Sequence, residues 1–178
     1  MLKYPILFLL FFIAAIMQAS LLPYILIWGA MPNLIFIIFF IVIFFEDLPL
    51  QESSHQSSEG FFLALAAGFF LDILFPSYFG VSIIALLAIY FLKKATAHFL
   101  QQTNDTYLIF YFIIMFALGF AVYQGFVYVF SLLFHIEFLV GFYISAQLFY
   151  NILVAFLGFY IYKIFLWQQG SNNQLKLL

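Results

Sequence analysis

Gly60-Phe-Phe-Leu-Ala-Leu-Ala-Ala-Gly-Phe-Phe-Leu-Asp72-Ile-Leu-Phe-Pro76 is an apolar run that holds one charge, Asp72. A carboxylate facing acyl chains costs about 2.5–3.5 kcal/mol on insertion scales. Asp72 is therefore expected to face another helix, a wet cavity or the membrane interface. Gly60, Ala64, Gly68 and Asp72 recur every four residues, which puts them on one helix face. Small residues on such a face let a second backbone come close. The face reads as a packing groove within the protein, as a groove for another protein's helix, or as a ligand cavity. Asp72 lies about one turn before Pro76. It can thus also accept hydrogen bonds from backbone or hydroxyl groups near Ser77, Tyr78 and Gly80, a structural role.

The composition around this run points the same way. The chain has 178 residues, 68% of them hydrophobic and 7% charged, against roughly 25% charged in a soluble domain. Such a chain has too few polar side chains to cover a water-facing surface, so lipid is its expected solvent. Roughly 20 apolar residues cross a bilayer as a helix, and five or six such runs fill the sequence. The fold class expected is an all-α, polytopic membrane protein with six transmembrane helices and a single domain over residues 1–178. The absence of cysteine excludes disulfides and thiolate chemistry. The net charge of −2 gives no nucleic-acid footprint. No arginine is present to clamp phosphate or carboxylate ligands.

The expected spans cover residues 5–22, 32–45, 60–75, 79–98, 107–134 and 138–166. The N-terminal run also has signal-peptide features, Lys3 before an apolar stretch and Gln18-Ala19-Ser20 after it. A first span is the preferred reading, because more spans follow and Ala14, Ala15 and Ala19 suit helix packing. Residues 24–31 read as a connector, partly helical and partly immersed. Pro32 disfavours helix at Met31 and suits a first helical position. A polar loop is expected over residues 46–59 and a frayed tail over residues 168–178. With six spans, Lys3, Lys93, Lys94, Lys163 and Lys176 all fall on one side. The positive-inside rule then places both termini in the cytoplasm, whereas five spans would split the lysines.

Polar residues inside the spans form a candidate seam. Gln18 lies on the first span; Ser145, Gln147 and Asn151 lie on the last, with Gln147 and Asn151 four apart. Amides in lipid usually bond across helices. Ala117, Ala121 and Gly125 repeat on the fifth span, beside Tyr123 and Gln124. Signs of catalysis are weak. His55, His98 and His135 are far apart in sequence, with no metal-ligand spacing. No nucleophile elbow or phosphate-binding glycine loop occurs. One intramembrane carboxylate is too few for a dyad. The expectation is a protein that is not an enzyme and needs no cofactor.

Three segments resemble the MreD family of rod-shape-determining membrane proteins. They are Met31-Pro32-Asn33-Leu34, then Gly60-Phe61 through Gly68 to Asp72 with Phe79-Gly80, and Ser145 to Asn151 in the last span. Pro32, Asn33, Gly68, Asp72, Gly80 and Asn151 are the positions that carry the resemblance. It implies a non-catalytic component of the bacterial elongation machinery in the cytoplasmic (inner) membrane. The implied partner is an MreC-like bitopic protein and, through it, MreB, RodA and its transpeptidase. It also implies a fold similar to the substrate-binding component of energy-coupling-factor vitamin transporters, and that transporter component is the alternative function. Met31 departs from the family, where a basic residue often precedes the proline, and the acidic loop over residues 46–59 is longer.

Overall fold

Apolar runs separated by proline, glycine and short polar stretches fold as six α-helices. They are α1 (Lys3–Ser20), α2 (Leu34–Glu46), α3 (Glu59–Leu74), α4 (Val81–Leu100), α5 (Asp105–Leu133) and α6 (Phe142–Leu175), with a 3-10 turn, Leu22–Tyr24, after α1. The structure is a computed structural model that describes residues 3–26, 28–46, 59–74, 79–100, 105–135 and 142–175. Among these the fold is all-helical, with no strand. Most of the polar loop expected over residues 46–59, with His55, lies outside the described residues, as do Ser77, Tyr78 and Glu137.

Three segments, Pro5–Tyr24, Tyr107–Leu133 and Tyr143–Ile164, are long and apolar enough to cross a membrane. Their outer faces carry large exposed apolar side chains, among them Phe8, Phe12 and Ile16 on α1, Phe110 and Ile114 on α5, and Leu157 and Ile161 on α6. A water-facing monomer rarely shows contiguous apolar surface on this scale.

Helix α2 is the opposite case. It is apolar on every side, and such a helix belongs in an interior. Ile35, Phe36, Phe39, Phe40, Ile43 and Phe44 are fully buried. α1, α3 and α6 pack around it, and α5 closes on it through aromatic rings. Phe36 meets Phe116, Phe120 and Tyr123; Phe40 meets Phe112 and Phe116; Phe44 meets Phe112 and Phe159. Room for this column is made by small residues opposite it. A Cβ at Gly119 would lie 2.9 Å from the Phe40 ring, and one at Gly158 would lie 2.6 Å from Ile41 Cδ1.

These contacts also fix directions. Numbers rise along α2 as they fall along α5, so the two are antiparallel. Asn33 meets Asn151 while Phe45 meets Tyr162, so α2 and α6 run parallel. α4 is antiparallel to α5, since Ser82 meets Tyr123 and Thr96 meets Tyr111. The C-terminal parts of α4 and α6 therefore share one end of the bundle, and with them Lys93, Lys94 and Lys163. The N-termini of α2 and α4 share the other.

Two local readings of the sequence need correction. Pro32 is not the first helical residue. α2 begins at Leu34, and Asn33 caps it, its Oδ1 accepting the Phe36 N–H at 3.1 Å. An Asn side chain satisfies an orphan N–H there, which favours starting the helix after Asn33. The polar stretch expected as a tail from Gln168 instead continues α6 to Leu175.

Candidate functional site

Asp72 sits in the last turn of α3 and is 1% exposed. Its carboxylate accepts the Gly80 N–H on Oδ2 at 2.7 Å and the Ser82 N–H on Oδ1 at 3.0 Å. Both donors belong to the start of α4, whose first amides have no partner within the helix. The carboxylate supplies those partners, and the positive end of the helix dipole favours its charge. A buried carboxylate is thereby held in an apolar bundle by backbone amides at a helix N-terminus. Gly80 has φ +96°, a left-handed conformation suited to glycine, and its N–H is the one that reaches Oδ2.

The close fit of α3 on α4 allows this reach. A Cβ at Gly68 would lie 2.5 Å from the Cα of Ile83 and 2.8 Å from its backbone nitrogen. Gly60, Ala64, Gly68 and Asp72 are all buried. At Gly68 and Asp72 the small-residue groove is filled by α4 of the same chain.

From Ser82 the polar contacts continue. Ser82 Oγ lies 3.4 Å from the Tyr123 hydroxyl on α5, whose ring packs on Phe36 of α2 with centroids 5.5 Å apart. The Asn33 N–H donates to Asn151 Oδ1 at 2.7 Å, across 118 residues of sequence. Asn151 Nδ2 donates to the Gln147 carbonyl oxygen one turn earlier at 2.8 Å, and Gln124 Nε2 donates to Gln147 Oε1 at 2.9 Å. The result is two sets of polar contacts, one through α3, α4 and α5 and one through α2, α6 and α5, which meet at the neighbouring α5 residues Tyr123 and Gln124. Asn33, Asp72, Ser82, Tyr123 and Asn151 are all buried in them.

The structure thus places Asp72 with Gly80, and Asn33 with Asn151 and Gln147. Pro32 is buried beside Asn33. Gln18 and Ser145, assigned to the same seam from sequence, differ in burial. Gln18 is buried on α1 with its Oε1 unpartnered, and Ser145 is exposed on α6. Ser82 is the member that sequence reasoning did not assign. Ser82 follows Gly80 at the start of a helix, where its N–H needs an acceptor, and that was the available signal. Among the described residues no group of three or more His, Asp or Glu gathers to hold a metal.

Chemically, the arrangement joins helix ends. Two helix N-termini, α2 and α4, receive side-chain acceptors from α6 and α3, and the neighbouring α5 residues Gln124 and Tyr123 touch one joint each. Comparison with family models, curated proteins and solved structures gives no match to this chain.

Proposed function

We propose that this chain is a non-catalytic membrane component of the bacterial cell-elongation complex, one that scaffolds peptidoglycan synthesis through an MreC-like bitopic partner. The observation that carries the reading is the meeting of the positions on which the resemblance rests. Asp72 meets Gly80 eight residues on, Gly68 packs on α4, and Asn33 meets Asn151 across 118 residues of sequence. Their polar groups bind one another and helix ends, as in a scaffold that must present a fixed shape.

The proposed topology has six spans with both termini in the cytoplasm. It is supported by Lys93, Lys94 and Lys163 sharing one end of the bundle, the end the positive-inside rule assigns to the cytoplasm. Single cysteines at Ser54, Ser77, Gln102 and Glu137 test it. Labelling from outside is expected at positions 77 and 137 only, and external labelling of position 54 would overturn the topology.

Co-purification from native membranes tests the function. Recovery of an MreC-like bitopic protein is the expected result. Recovery of an energy-coupling ATPase module would instead assign the chain to vitamin transport.

A further inference from the structure

The polar network does not sit at the end of the bundle. Tyr123 is level with Phe36, their rings 5.5 Å apart. α5 continues for about ten residues past Tyr123 to Leu133, roughly 15 Å at the helical rise. α6 begins about nine residues before Asn151, roughly 13 Å further out on the same scale. Polar side chains there are few: Ser131 is buried, Gln124 and Gln147 bond each other, and Ser145 is exposed. Tyr128, Val129, Leu132, Leu133 and Phe149 are exposed there, and residues 107–136 hold no formal charge. Lipid must cover them. α2, with 13 residues, is about 20 Å long against a hydrocarbon core of about 30 Å. Its N-terminus therefore starts well below the surface reached by α5 and α6.

The connector between α1 and α2 leads from the end of α1 to this N-terminus. Its described residues include Tyr24 (89% exposed), Ile25, Leu26 and Trp28 (67% exposed). No charge occurs from Tyr4 to Phe45. Trp28 and Gly29 have φ +53° and +78°, and such a backbone is unusual for a bulky residue. The turn holds a large indole outward. Tyr and Trp favour the boundary between headgroups and acyl chains. Irregular backbone needs partners that hydrocarbon does not offer, which places the segment at that boundary and not in the bilayer centre.

We propose that Tyr24, Ile25, Leu26 and Trp28 form a lipid-binding foot, seated at the headgroup boundary of the leaflet opposite the lysine-bearing end. It spans the depth that the short α2 leaves open. The proposal rests on the membrane reading of the chain and not on its partners.

Trp28 and Trp167 are the only tryptophans, so Trp167→Phe leaves Trp28 as the sole reporter. The protein is reconstituted in phosphatidylcholine vesicles brominated at a shallow or a deep acyl position. Stronger quenching of Trp28 by shallow bromines, with little quenching by aqueous iodide, is expected. Quenching by iodide without quenching by brominated lipid would overturn the foot. So would protection from both, which would mean a protein cover. A second construction avoids dependence on that variant: Leu26→Cys, spin-labelled in a chain without native cysteine, should collide with oxygen more than with an aqueous nickel chelate. Ile114→Cys, in the middle of α5, is the control. A lipid-exposed position 114 with a water-exposed position 26 would sink the foot and leave the membrane reading standing. Water exposure at both would sink the membrane reading itself.

Discussion

The aromatic column along α2 and the polar network at its N-terminal end are both interior, yet they hold the bundle by different means. The column is a stack of aromatic rings from α2, α5 and α6, nearly all Phe, with Tyr123 and Tyr111 meeting it on α5. The network is a series of single hydrogen bonds, each with one donor and one acceptor. In lipid, moving an apolar side chain from acyl chains to protein brings little hydrophobic gain, so the column is held by close packing and dispersion. Ring contacts tolerate small slides along the helix. Hydrogen bonds from Gly80 and Ser82 to Asp72, or from Asn33 to Asn151, do not, because their distances fix both ends. The column supplies cohesion and the network supplies register.

That contrast can be broken where backbone meets backbone. Gly68→Val would push a side chain into the Ile83 backbone of α4, which cannot retreat as a flexible side chain can. Loss of folded protein from the membrane is expected, the largest effect of the set, read by abundance after detergent extraction. Phe40→Ala should follow. It removes a fully buried ring that touches four others on α2 and α5. Large-to-small core changes of this kind cost about 3–5 kcal/mol in soluble proteins. Reversible unfolding in mixed micelles checks it.

The network should respond less in size and more in kind. Asn151→Leu strips the Asn33 N–H of its acceptor, and a buried unpaired donor costs about 1–3 kcal/mol. Unfolding should show that loss, and amide exchange at the start of α2 should rise with it. Gln124→Leu breaks one half-buried amide pair with Gln147. Interhelical hydrogen bonds in membranes average about 0.6 kcal/mol, so its shift should be the smallest of the four.

Helices were far more legible in the sequence than their joints. The apolar runs gave the third helix as residues 60–75 against an observed Glu59–Leu74, and the fifth as residues 107–134 against Asp105–Leu133. Period and proline placement are local signals, and they suffice for that. The start of α2 was misread because Pro32 and Asn33 both carry start signals; the side chain that can accept the Phe36 N–H settled it. The row Gly60, Ala64, Gly68, Asp72 was visible as a face, but not what lay against it. Asn33 and Asn151, or Ser82 and Tyr123, pair only once helices far apart in sequence have docked. Ser145 shows the converse. Lying two residues before Gln147, it reads as part of the network, yet it is exposed on α6.

The most direct measurement compares Asp72→Asn with Asp72→Leu. Asn keeps the shape and one acceptor oxygen for the Gly80 and Ser82 amides, whereas Leu keeps none. Membrane abundance and unfolding are measured together with the two readouts of the proposed function, partner co-purification and rescue of rod shape. If Asp72 serves to join α3 to α4, Asp72→Asn should be mild in every readout. Asp72→Leu should lose stability by about 1–3 kcal/mol and lose abundance and rescue with it. Two variants equally abundant, equally stable and still bound to the partner, yet equally unable to restore rod shape, would contradict that role and point to a carboxylate that must titrate.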